Sequence, residues 1–213
     1  MKTGVILISG RGSNMRSIVE ARTGLEVKAV ISNRPDAKGL EWAGARGIAT
    51  QAIDHKTFPT REAFDGAMGD AIDRLRPDLI LLAGFMRIFT PEFIARFPRR
   101  ILNIHPSLLP AFPGLHTHRR ALDAGVKVHG CTVHVVTPSL DSGPIVVQAA
   151  VPVLAGDSED SLAERVLQAE HRIYPQAVRW FAEDRLEFLP GDVVQVRGSG
   201  VSTDCLVAPR DRT

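Results

Sequence analysis

Cysteine is scarce: Cys131 and Cys205 are the whole complement of two. Two thiols so far apart exclude a disulfide framework, no C-x-x-C pair occurs, and a reducing compartment is the expectation. Charge of one sign is also lacking. Lys+Arg 26 against Asp+Glu 24 leaves a net +2, which removes the electrostatic basis for coating nucleic acid or a membrane surface. A local cationic site for one phosphate or carboxylate remains open. No stretch approaches the roughly 20 apolar residues of a membrane helix. The start, MKTGVILISG, offers only Gly4–Ser9 before Gly10. That is too short for a signal-peptide core, and it reads as a buried strand of a cytoplasmic protein. Repeats, low-complexity tracts and an internal linker are absent as well. What is present is a globular profile: 213 residues, 44% hydrophobic and 23% charged. A chain this long buries roughly 70% of its extended surface on folding and needs no covalent staple.

Strand-like and helix-like segments alternate. Val5–Ser9, Val27–Ser32, Ile48–Ile53, Leu79–Ala83 and Ile101–Ile104 are short apolar runs. Between them Met15–Ala21, Leu40–Arg46, Glu62–Leu75 and Pro91–Phe97 carry helical spacing. Such alternation predicts an α/β three-layer sandwich, its twisted sheet mostly parallel and its N-terminal half Rossmann-like, with right-handed crossovers. After residue 105 the texture changes. Leu108–His118 reads as a long loop, Val133–Val136 and Ile145–Val153 as strands added antiparallel, and Ser158–Phe181 as one helix that Pro175 should kink or break. One domain over residues 1–190 is expected, with 191–213 as a tail, either a small hairpin or flexible.

Three constellations carry chemistry. Ser9-Gly10-Arg11-Gly12-Ser13-Asn14 joins the first strand to the first helix. Its glycines permit a sharp turn, and free N–H groups at a helix start attract an anion. No Gly-Lys-Ser/Thr follows, and Met15 stands where a dinucleotide fingerprint needs its third glycine, so the loop is a phosphate site of another kind or a turn capped by Ser13 or Asn14. Asn103 and His105, two apart on a strand, point to the same side. A carboxamide and an imidazole at a strand's carboxyl end suit an oxyanion and a proton transfer, or else form a hydrogen-bonded core pair. Leu140-Asp141-Ser142-Gly143-Pro144 is a turn whose carboxylate could orient His105. The histidines at 105, 116, 118, 129 and 134 raise the question of zinc. Without H-E-x-x-H no metal is expected, and without G-x-S-x-G no serine nucleophile is either.

Together the segments ISGRGSN, LAGFMRI, NIHPSLLPAFPGLHTHRRAL, VHGCTVH, LDSGPI and GDSED with EHRIYP resemble the phosphoribosylglycinamide formyltransferase family, from Val5 to about Phe181. The resemblance implies transfer of a formyl group from 10-formyltetrahydrofolate, as co-substrate, to the primary amine of glycinamide ribonucleotide. It places the catalytic residues on Asn103, His105 and Asp141. The ribonucleotide and phosphate loop falls on Gly12, Ser13, Asn14, Met15 and Arg16, with Glu170 as the acidic contact. The folate pocket falls on Arg61, on Met86, Arg87, Ile88 and Phe89, on Asn103, and on Thr137, Pro138, Ser139, Leu140 and Asp141. It implies no metal, no nucleic-acid or membrane partner, and either a monomer or a homodimer.

The chemistry of the residues agrees. An amine attacking a carbonyl generates a tetrahedral oxyanion that Asn103 and a protonated His105 can stabilise. One such donor is worth roughly 3–4 kcal/mol in an oxyanion hole. The alternatives are a hydrolase that releases formate from the same folate, the formylase of initiator methionyl-tRNA, and a folate- or nucleotide-binding module without catalysis. The hydrolase and formylase families carry an additional domain not expected in this sequence, and a module has no use for all three polar residues.

Overall fold

In the central strands Val5, Leu7, Ala29, Ile31, Ile80 and Leu82 turn to one side. Ile6, Ile8, Val30, Leu79 and Leu81 turn to the other. The buried stretches of these strands, Val5–Ile8, Ala29–Ile31 and Leu79–Leu82, are apolar at every position because both faces are covered, as a parallel sheet flanked by helices requires. The computed structural model describes residues 1–200 and residue 208. Cys205 and most of the expected tail beyond residue 200 lie outside the described residues.

The strands are β1 (Thr3–Ile8), β2 (Glu26–Ser32), β3 (Ala49–Ala52), β4 (Leu79–Leu82), β5 (Ile101–His105), β6 (Val128–Val135) and β7 (Ile145–Pro152). They form one sheet in the order β3-β2-β1-β4-β5-β6-β7. Pairing is parallel from β3 through β5. β6 and β7 join antiparallel. The helices are α1 (Ser13–Glu20), α2 (Lys38–Gly44), α3 (Arg61–Leu75), α4 (Pro91–Arg96), α5 (Thr117–Asp123) and α6 (Glu159–Ala182). Residues of α1, α2, α5 and α6 pack on one face of the sheet. Those of α3 and α4 pack on the other, completing three layers.

Chain order reverses between β1 and β4, so the loops that follow these neighbouring strands leave in opposite directions and open a crevice at their carboxyl ends. The loops are tied together there: Ser9 N–H donates to the Gly84 carbonyl (3.1 Å) and Met86 N–H to Ser9 Oγ (2.8 Å). Thr90 N–H donates to the buried Asp65 carboxylate of α3 at 2.7 Å. Phe85, Phe89, Phe93 and Phe97 then stack in a column, with centroids 5.0, 3.8 and 5.2 Å apart. These rings pack the 84–90 segment, which is neither helix nor strand, against α4.

Three expectations change. The segment read as a loop to His118 ends earlier, because α5 starts at Thr117. β6 starts at Val128, five residues before the expected Val133; its alternation there is hidden by His129 and Gly130, both buried. Pro175 does not break α6, which runs through 24 residues. The buried face of Leu162, Val166, Ile173, Tyr174, Ala177 and Val178 outweighs the hydrogen bond that proline forfeits. Beyond α6, β8 (Leu186–Leu189) and β9 (Val193–Val196) pair as an antiparallel hairpin. Leu186, Phe188 and Val194 lean on the core.

Candidate active site

β5 ends in the polar pair that its register aims at one face. Asn103 lies opposite His134 on β6, and His105 opposite Thr132. Asp141 arrives from the β6–β7 connection in the left-handed region, with φ 49°. Gly143, two residues on, approaches so closely that a Cβ there would lie 1.8 Å from the Val135 carbonyl oxygen. Only glycine permits this approach, and the tight turn delivers the carboxylate. Asp141 Oδ2 stands 3.4 Å from His105 Nδ1, with both side chains over nine-tenths buried. It also accepts the Gly114 N–H at 2.8 Å. His105 Nε2 lies 3.1 Å from the Phe112 carbonyl. Both ring nitrogens of His105 thus face acceptors, an arrangement that the imidazolium satisfies.

Asn103 Nδ2 is 3.1 Å from His134 Nε2, and His134 Nδ1 is 3.1 Å from the Val135 carbonyl. Burial pushes the His134 pKa down and keeps the ring neutral. These groups open into a cavity of about 560 Å³. Met86, Arg87, Ile88 and Phe89 form one wall, and Thr137, Pro138, Ser139, Leu140 and Asp141 another. Met86 and Ile88 are largely exposed at its mouth.

At the far end Asn14 Nδ2 donates to Glu170 Oε2 at 2.6 Å. Glu170 stands mid-helix, where a surface charge is the ordinary reading, but it is 7% exposed and faces inward. One turn further along α6, the Tyr174 hydroxyl sits between the carbonyls of Leu82 (3.1 Å) and Leu102 (3.0 Å). That contact pins α6 across β4 and β5 and holds Glu170 over the sheet edge. Burial raises the pKa of Glu170, partly countered by the Asn14 hydrogen bond. Asn14 Oδ1 is buried without a partner among the described residues.

The fold therefore gathers Asn103, His105, Asp141, Asn14, Glu170 and the 86–89 and 137–141 segments at one cavity. Other candidates stand elsewhere. Gly12 (φ 71°) and Ser13 form the start of α1, which no side chain caps among the described residues. Met15 is wholly buried in the core, so only its backbone can meet a ligand. Arg16 is half-buried and lies 5.4 Å from the Trp42 ring. Arg61 is exposed at the first turn of α3 and does not line the cavity. Residues not singled out as site members line it too: Leu115, Thr117, Glu159 and His134. The signal for His134 was its place opposite Asn103, which required the β6 register. His116 and His118 also line the cavity. A smaller cavity of about 270 Å³, lined by Ser9, Asn33, Arg34 and His55, adjoins across Gly84, Met86 and Arg87.

Residues 2–178 match the formyl transferase family. The chain belongs to it. It is 51% identical to phosphoribosylglycinamide formyltransferase of Escherichia coli over 187 residues, covering 86% of this chain and 88% of that protein. It is 45% identical to part of the trifunctional purine biosynthetic protein adenosine-3 of Drosophila melanogaster, covering 83% of this chain and 14% of that one. Among solved structures, glycinamide ribonucleotide transformylase 1 from Symbiobacterium toebii superposes with a TM-score of 0.88 at 50% identity, over 92% of this chain and 94% of that chain. The formyltransferase fold and its mixed sheet are common to both.

Proposed function

We propose that the protein transfers the formyl group of 10-formyltetrahydrofolate to the primary amine of glycinamide ribonucleotide, in the cytoplasm, without a metal. The observation that carries this reading is the meeting of Asn103, His105 and Asp141, with His105 Nδ1 3.4 Å from Asp141 Oδ2, in a cavity walled by residues 86–89 and 137–141. Its volume of about 560 Å³ and the Met86, Ile88, Phe89, Pro138 and Leu140 side chains in its walls fit a folate ring system. The uncapped start of α1 supplies free N–H groups and a positive dipole end for the phosphate. Buried Glu170, with Asn14 beside it, suits the amine-bearing end of the ribonucleotide.

In the reaction the amine nitrogen bonds to the formyl carbon, and the bond from that carbon to the folate nitrogen breaks. Asn103 donates a hydrogen bond to the oxygen that becomes an oxyanion. His105, held by Asp141, supplies the positive charge and a proton donor beside it. Asp141 also serves as an acceptor for the proton that the amine must lose, while the departing nitrogen gains one, so the proton count balances.

The deciding assay mixes the protein with both substrates, omits each in turn and follows deformylated folate. Product only when both are present is the expected result. Formate release without glycinamide ribonucleotide overturns the reading in favour of a hydrolase.

A further inference from the structure

We propose that His134 is a positioning residue: as the Nδ1–H tautomer it accepts a hydrogen bond at Nε2 from Asn103 and so fixes which way the Asn103 carboxamide faces. His134 Nδ1 is 3.1 Å from the Val135 carbonyl, which can only accept, so the proton belongs on Nδ1. Nε2 of a neutral ring then offers a lone pair, and the group 3.1 Å away must be the carboxamide N–H, not its oxygen. The opposite tautomer would set a lone pair against the Val135 carbonyl and leave that contact repulsive. The doubly protonated ring would carry a charge in a side chain only 3% exposed, with its nearest carboxylate oxygen, Asp141 Oδ1, 3.8 Å away.

The register makes the contact obligatory. Asn103 and His134 are paired across the β5–β6 ladder, so their side chains share a face at close range. A carboxamide has two flip states of nearly equal shape, and a catalytic Asn in the wrong one presents an oxygen where the reaction needs a donor. With one N–H spent on His134, Asn103 keeps its second N–H and its oxygen in a defined orientation at the cavity it lines. His134 does this through Asn103 and needs no contact with substrate.

The kinetic test rests on the formyl-transfer reading, and the spectroscopic test does not. Replacing His134 by Leu should lower kcat roughly tenfold, the worth of one neutral hydrogen bond that orients a donor. KM for either substrate should stay within about twofold. In an Asn103→Ala background the same change should have no further effect. His134→Gln, whose side-chain oxygen can accept from Asn103, should recover most of the loss. Long-range 15N NMR of the wild-type protein should find His134 protonated at Nδ1 and bare at Nε2. Equal losses in the wild-type and Asn103→Ala backgrounds, or a proton on Nε2, overturn the proposal. A wild-type protein without formyl transfer would overturn the functional reading instead, and the NMR result would still decide the tautomer.

Discussion

At the residue scale, the proposed chemistry rests on three groups, Asn103, His105 and Asp141, whose roles cannot be exchanged for shape. Asp141→Asn keeps the volume and the Gly114 contact but removes the carboxylate that stands 3.4 Å from the His105 ring. Turnover should fall about a hundredfold or more, with an unchanged circular dichroism spectrum. His105→Ala should fall comparably, and near-normal turnover in that variant would remove His105 from the chemistry. Asn14→Ala takes away the only side-chain donor to Glu170 among the described residues. Burial then acts alone, so the Glu170 carboxyl should titrate still higher, and KM for the amine substrate should rise more than kcat falls. Carbon-detected NMR of the carboxyl together with steady-state kinetics would check both. Asn103 with His105 was legible because spacing by two on a strand fixes a shared side. The pairing of Asn14 with Glu170 was not, because 156 positions separate them and nothing local marks Glu170 as inward. Arg61 came from the resemblance alone, and its exposed side chain does not line the cavity.

At the scale of elements, the connection between β6 and β7 is the part whose geometry leaves least room. A methyl group at Gly143 would meet backbone oxygen at 1.8 Å, and backbone cannot yield as a side-chain tip can. Gly143→Ala should therefore shift the Asp141 turn, costing about 1–3 kcal/mol of stability in urea unfolding together with most of the activity. Loss of stability alone, with kcat intact, would show that the turn does not aim the carboxylate. The start of α6 carries the opposite kind of design. Ser158 and Ser161 form a reciprocal capping box, and Asp157 receives Arg165 at 2.7 and 2.8 Å. The parallel half of the sheet was legible because apolar runs of four to six residues alternate with amphipathic ones. The antiparallel half was less so. The start of β6 carries two buried polar side chains, His129 and Thr132, and Thr132 finds its partners on other segments, at Ser107, Leu109 and Gln148. α5 is only 7 residues long and sits behind prolines. Pro175 misled because tertiary burial along α6 decides its continuity and local propensity does not.

At the scale of the whole molecule, acid stability follows from four histidines held neutral by burial. The pKa values of His118, His134 and His171 are depressed by desolvation. That of His129, 1% exposed with Nε2 unpartnered among the described residues, is pushed down from 6.5 to about 4. In the unfolded chain each takes up a proton near its ordinary pKa, while the folded chain does not. The unfolded state therefore binds more protons between about pH 6.5 and about pH 4, and stability falls as pH drops through that window. Two buried carboxyls act the other way. Burial raises the pKa values of Asp65 and Glu170, so the folded state gains protons first as pH falls toward the carboxylate range, which offsets part of the loss. Asp157, whose carboxyl Arg165 holds low, contributes stability that is lost only below its unfolded pKa near 3.8, outside the histidine window. Thermal unfolding should accordingly show a Tm that is level above neutrality and declines steadily toward pH 4. His129 packs edge-on against Phe112 and His118, with centroids 5.8 and 5.4 Å away, so leucine can fill its place without leaving a charge to bury. His129→Leu should remove on the order of 2 kcal/mol of the acid-dependent loss. A variant whose Tm falls with pH as steeply as the wild type's would mean that His129 is already charged in the native state.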